Sequence, residues 1–171
     1  MKPISSPLRI LDFAVMRMDF EFIPPANSVR NEGLFDRYEV DLDFDVFKNG
    51  ILQIVMTVDI NTGENPQPGY KISAEVASLF KFDGSAKISS GEKESMEGFS
   101  TVYIALNNLR GFISGFTANA PFGRYILPSI DLNDLILKKR TEVEQYTKIK
   151  RAEQKEKKVK QAKTKVKMKQ K

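Results

Sequence analysis

Carboxylates recur at every second position of RYEVDLDFDVF, as Glu39, Asp41, Asp43 and Asp45. Oxygen ligands of this kind suit a calcium ion, but a calcium site needs a loop that wraps the metal. Between them stand Tyr38, Val40, Leu42, Phe44 and Val46. That period of two is the period of a strand, and a strand spreads the carboxylates along one face at intervals of about 6–7 Å. The spacing favours a solvated acidic face, or an acidic docking surface, over a metal site. Charges so placed also discourage edge-to-edge association.

A second polar group is Arg110 with Asn107 and Asn108. It can act as a substrate clamp, as a polar helix face, or as ion-pairing groups at a subunit contact. Gly111 and Gly115, four apart, would let another helix come close. The chain has no His and no Cys. Ser-His and Cys-His catalysis are thereby excluded, and the commonest zinc ligands are missing. No Gly-rich loop offers a phosphate cradle, and no carboxylate pair stands out as an acid/base couple. The expectation is a protein that is not an enzyme and carries no cofactor and no metal.

Positioning elements follow from periodicity. Ile10 to Ile23 is rich in Phe, Met and Val and ends at Pro24-Pro25, which reads as a strand. A polar loop from Ala26 to Asp36 precedes the alternating strand. Asn49-Gly50 is a hairpin signal, and Ile51 to Ile60 is the returning strand. After the loop NTGENPQPG, Tyr70 to Phe82 forms a fourth strand. Residues 83–94 are Gly, Ser and charged residues and read as a linker. From about Ser95 the spacing of Phe99, Val102, Tyr103, Leu106, Leu109, Ile113 and Phe116 is that of an amphipathic helix. Its apolar stripe is wide enough to need a sheet on one side and another subunit on the other.

Pro121 and Pro128 forbid helix through PFGRYILPSIDLNDLI, so Tyr125-Ile-Leu127 is extended. Asp131 can cap a last helix, with Asp134 near the positive end of its dipole. The expected fold is α+β: a four-stranded antiparallel sheet, a long helix and a C-terminal helix. The expected organisation is a flexible arm over 1–9, one domain over 10–149, and a basic tail over 150–171, flexible or frayed helical. No apolar segment near the start is long enough for a signal peptide or membrane span, so a soluble, cytoplasmic protein is expected.

Charge is split along the chain. From Lys138 onward there are 15 Lys+Arg and 4 Asp+Glu; the residues before carry 12 and 18. A basic tail of this kind is either a solvated helix or a contact for RNA, an acidic protein or a membrane surface.

Three stretches together resemble the SecB protein-export chaperone family and its SecB-like relatives, some of them linked to toxin–antitoxin systems. They are Glu39 to Asp45, Glu75-Val76 with Leu79-Phe80, and Leu109 to Ile113 followed by Ala120-Pro-Phe-Gly123 and Ile126 to Ile136. The resemblance covers roughly residues 10–137. It implies an ATP-independent holdase for unfolded or export-bound proteins, assembled as a tetramer that is a dimer of dimers. It implies an apolar client groove along Val40, Leu42 and Phe44, with Tyr125, Ile126 and Leu127; ordinary core positions are the alternative for all six. It places oligomer contacts on the long helix, at Phe99, Tyr103, Leu106, Arg110 and Ile113. It makes Asp19, Glu75 and, more loosely, Glu21 the docking residues for the translocation motor SecA. The first strand and the long basic tail depart from the family pattern. Two other roles stay open: a dedicated chaperone of a single partner such as an antitoxin, and an adaptor whose tail contacts the ribosome or nucleic acid.

Overall fold

The computed structural model describes residues 5–25 and 33–168, with side chains as far as Arg151. Most of the loop expected at 26–36, and the first residues of the expected arm, lie outside the described residues.

Four strands form one antiparallel sheet: β1 (Leu8–Ile23), β2 (Val40–Lys48), β3 (Leu52–Ile60) and β4 (Gly69–Phe82). Their spatial order is β1-β4-β3-β2, so β1 and β2 are the edges. The hairpin pairs Val40 with Ile60 and Lys48 with Leu52 without a slip. Gly50 turns it at φ 78°, a conformation glycine adopts without steric cost.

β1 begins at Leu8, inside the expected arm, because Leu8 is buried opposite Phe82. Two irregularities break its pairing with β4, at Leu11 and Met16. Each inserts one residue and shifts the phase of the side chains. That is why FAVMRMDFEF shows no clean alternation.

One face of the sheet is apolar and covered. Ile54, Met56, Val58 and Ile60 of β3 and Ile72, Ala74, Val76 and Phe80 of β4 are fully buried. Against β3 and β4 packs α2 (Thr101–Thr117), through Val102, Ala105, Leu109 and Ile113. Each large aliphatic side chain removed from water in this layer contributes about 1.5–3 kcal/mol. The helix also reaches β1 through Phe112 against Phe13 and Phe116 against Phe20, with ring centroids 6.3 and 5.3 Å apart.

Helix starts earlier than the expected Ser95. α1 (Ser90–Ser95) is nucleated by a capping box: Ser89 Oγ accepts from the Glu92 amide, and the Glu92 carboxylate accepts from the Ser89 amide. The linker reading of 83–94 is corrected from Ser89 on, and the S-x-x-E spacing that causes it is visible in the sequence. Between α1 and α2, Met96–Ser100 forms one wide turn in which the Thr101 amide donates to the carbonyl of Met96, five residues back.

The chain divides into two compact units, one ending at Leu132 and one beginning at Asn133. The second holds all but the first residue of α3 (Leu132–Met168), which starts directly after Asp131 and runs into the expected tail. Its first turns hold the ion pairs Lys138–Asp134 at 2.7 Å and Lys139–Glu142 at 3.6 Å.

Candidate client-binding surface

After α2 the chain reverses through Thr117 to Gly123 and then runs extended to Asp131, as the two prolines require. Three side chains of the body fasten this segment by its backbone. Thr117 Oγ1 accepts from the Tyr125 amide at 2.9 Å and donates to the carbonyl of Ile113 at 2.8 Å. Tyr70 Oη accepts from the Phe122 amide at 2.7 Å and donates to the carbonyl of Gly123 at 2.9 Å. Arg110 donates to the carbonyls of Leu127 and Pro128.

The result is strict alternation. Tyr125 is 2% exposed, Ile126 64% and Leu127 1%. Of these three expected client contacts, Tyr125 and Leu127 are core residues that hold the segment down, and Ile126 alone stands out from the surface.

The segment meets the start of β2 through an aromatic cluster. Tyr125 stacks on Tyr38 with centroids 5.7 Å apart, and Phe35 lies edge-on to both. Phe35 and Tyr70 extend the cluster toward Phe20 of β1. Burial holds the Tyr125 hydroxyl protonated far above the usual range, its pKa pushed up to about 12. Burial also raises the Tyr38 and Tyr70 values.

Tyr38 leads into β2, whose alternate residues Val40, Leu42, Phe44 and Val46 lie opposite buried residues of β3 and so share their face. Burial varies along the strand: Val40 and Leu42 are half-buried, Phe44 is buried, and Val46 is exposed. Two parts of the expected groove are thus adjacent, joined by Tyr38 and Tyr125. The outer edge of β2 pairs with no strand among the described residues.

The turn before β4 locks this corner. Tyr38 Oη accepts from the Tyr70 amide at 2.6 Å and donates to the carbonyl of Pro68 at 2.9 Å. Asn61, at φ 57°, donates from its side chain to the carbonyls of Gln67 and Tyr70 and accepts from the Gln67 amide. Sequence reasoning did not find Tyr38, Asn61, Tyr70 or Thr117 as anchors. The Asn-Thr-Gly pattern at 61–63 marks a turn but not these long-range bonds.

Asp19, Glu21 and Glu75 lie on the face of the sheet opposite the one that α2 covers. Asp19 pairs across the sheet with Ser73, Glu21 with Lys71, and Glu75 with Arg17. Asp19 makes an ion pair with Arg17 and Glu21 with Lys71. Glu75 also lines a shallow depression with Met16, Asp45, Phe47 and Val55, so acid and apolar groups mix there. Among the described residues, no group of three acidic or other ligating side chains could hold a metal ion.

The residues expected at oligomer contacts separate by burial. Leu106 and Ile113 belong to this chain's own core, while Phe99 and Tyr103 are exposed on the helix. Arg110 also binds Asn107 Oδ1 at 3.0 Å, so its donors serve the chain itself. No described helix is long and apolar enough to cross a membrane.

No known protein family and no curated protein matches the chain by sequence. Among solved structures, a SecB-like chaperone from Mycobacterium tuberculosis, in complex with a ChAD peptide from the HigA1 antitoxin, aligns with a TM-score of 0.50 and 11% identity. The alignment covers 72% of this chain and 91% of that one. A protein of unknown function from Streptococcus agalactiae aligns at 12% identity and a TM-score of 0.38, covering 71% of this chain and 97% of that one. With its four-stranded antiparallel sheet, long helix and C-terminal helix, the chain has a SecB-like α+β fold.

Proposed function

We propose that this protein is an ATP-independent chaperone that holds unfolded or export-bound proteins on the apolar side of β2 and the clamped segment at Ile126. The observation that carries this reading is an edge strand whose apolar residues Val40, Leu42 and Val46 are not fully covered. It lies beside an extended segment that projects a bare isoleucine. An extended client can pair with the outer edge of β2 and bury alternate side chains against that row. Burial at about 25 cal/mol per Å² needs no particular client sequence, and several such sites on one assembly reinforce each other. A tetramer built as a dimer of dimers, with contacts through Phe99 and Tyr103, belongs to the same proposal. So does docking of SecA on the face of Asp19, Glu21 and Glu75.

The test mixes the protein with a chemically unfolded, aggregation-prone client and follows light scattering. Suppression at stoichiometric amounts is expected; unchanged scattering overturns the reading.

A dedicated chaperone with one partner is the second reading. It is favoured by the structural neighbour, which was solved with an antitoxin peptide. Pull-down separates the two: many clients support the general holdase, and one stoichiometric partner supports the dedicated chaperone.

A further inference from the structure

We propose that the lysine-rich end of α3 binds the phosphate backbone of nucleic acid without reading its sequence. This role is separate from client holding and uses a different part of the chain. Residues 155–171 hold nine lysines and a single acid, Glu156. Nearer the start of α3, residues 132–154 hold six bases and four acids, and Asp134 pairs with Lys138 and Glu142 with Lys139. After Glu156 no acid follows. The excess charge is therefore concentrated at the far end of a helix whose backbone runs to Met168.

The density suits a polyphosphate. Residues 155–168 of the helix span about 21 Å at a rise of about 1.5 Å each. Seven of the nine lysines lie on that length, against a duplex that carries one negative charge per roughly 1.7 Å of its axis. Lysine meets a phosphate as a point charge and needs no fixed geometry. What base reading requires is missing from this segment. No aromatic follows Tyr146 to stack on bases, and no Arg follows Arg151 to bridge a guanine.

A membrane surface is the poorer partner. The apolar residues after Lys150 are Ala152, Val159, Ala162, Val166 and Met168. Interfacial helices anchor through Trp, Phe or Leu, and this segment has none of them. The residues before Lys138 carry more acid than base, so they repel a polyanion, which confines its binding to the tail.

The test is fluorescence anisotropy of the full chain with a short labelled RNA duplex of arbitrary sequence, titrated between 50 and 200 mM salt. With about six phosphate contacts the affinity falls about 10³-fold over that range, a log–log slope near −5, and a second unrelated sequence binds equally well. Replacing four lysines together (Lys157→Gln, Lys158→Gln, Lys160→Gln, Lys163→Gln) flattens the slope by about 3–4, while Gln keeps a helix propensity close to that of Lys. The same variant still suppresses client aggregation. The proposal is overturned if the duplex does not bind at 50 mM salt, or if the quadruple variant keeps the original slope. It is also overturned if vesicles rich in phosphatidylserine bind the tail and the duplex cannot displace them.

Discussion

Arg110 Nε donates to the carbonyl of Leu127 at 3.3 Å, and Arg110 Nη2 donates to the carbonyl of Pro128 at 3.1 Å. One guanidinium thus fixes two consecutive carbonyls of a segment that lies in neither a helix nor a strand. Arg110→Ala strands both acceptors and lowers stability by about 1–3 kcal/mol, measured by urea unfolding. Arg110→Lys recovers only part of the loss, since one ammonium cannot reproduce the planar fork. An unchanged midpoint in the alanine variant would show that the clamp contributes nothing.

Gly69 and Tyr38 set a second test. Gly69 has φ 115°, and a Cβ built there would lie 2.0 Å from Tyr38 Oη. Tyr38→Phe removes two hydrogen bonds and leaves the buried Tyr70 amide without its acceptor, a loss of about 1–3 kcal/mol. Gly69→Ala combines backbone strain with displacement of that same hydroxyl. It is expected to lower the melting temperature further than Tyr38→Phe does, and the reverse order would contradict the described corner.

Tyr125 gives the fold an alkaline limit. Its pKa is raised from 10.0 to about 12 in the folded chain, so the unfolded chain releases this proton first as pH rises. Stability from this group is complete below pH 10 and is lost as pH climbs toward 12, by at most about 3 kcal/mol. Tyr125→Phe should leave unfolding at pH 7 nearly unchanged and flatten the alkaline decline. A decline of the same steepness in the variant would move its cause to another group.

Much of this fold is legible in the sequence, because the local signals agree with the tertiary result. The alternation from Tyr38 to Val46 and the Asn-Gly turn place the hairpin to within a residue or two. The two prolines dictate the extended segment. β1 is less legible, since the extra residues Leu11 and Met16 scramble its period. The surface is harder still. Alternation says that Tyr125 and Leu127 share a side, but not which side the body covers, because Thr117, Tyr70 and Arg110 decide that from far along the chain. Leu106 and Ile113 likewise read as one stripe with Phe99 and Tyr103, and only the position of the sheet divides them.

That division predicts how assembly responds to mutation. For the tetramer proposed above, Phe99→Asp with Tyr103→Asp should reduce the native mass from four chains to fewer while the far-ultraviolet spectrum stays the same. Ile113→Asp places a charge in the core of the single chain and should unfold it, a cost of several kcal/mol. A double variant that keeps the parent's mass would remove these two side chains from the interface.

The central claim is that the outer edge of β2 and the exposed Ile126 grip an extended client, and hydrogen exchange tests it most directly. Adding a permanently unfolded client should slow exchange at those amides of Val40–Lys48 that do not bond to β3. Ile126→Asp should weaken the holding without changing the unfolding midpoint. If client is held at full strength while the β2 amides exchange as fast as in the free protein, and Ile126→Asp has no effect, clients bind elsewhere and the account is wrong.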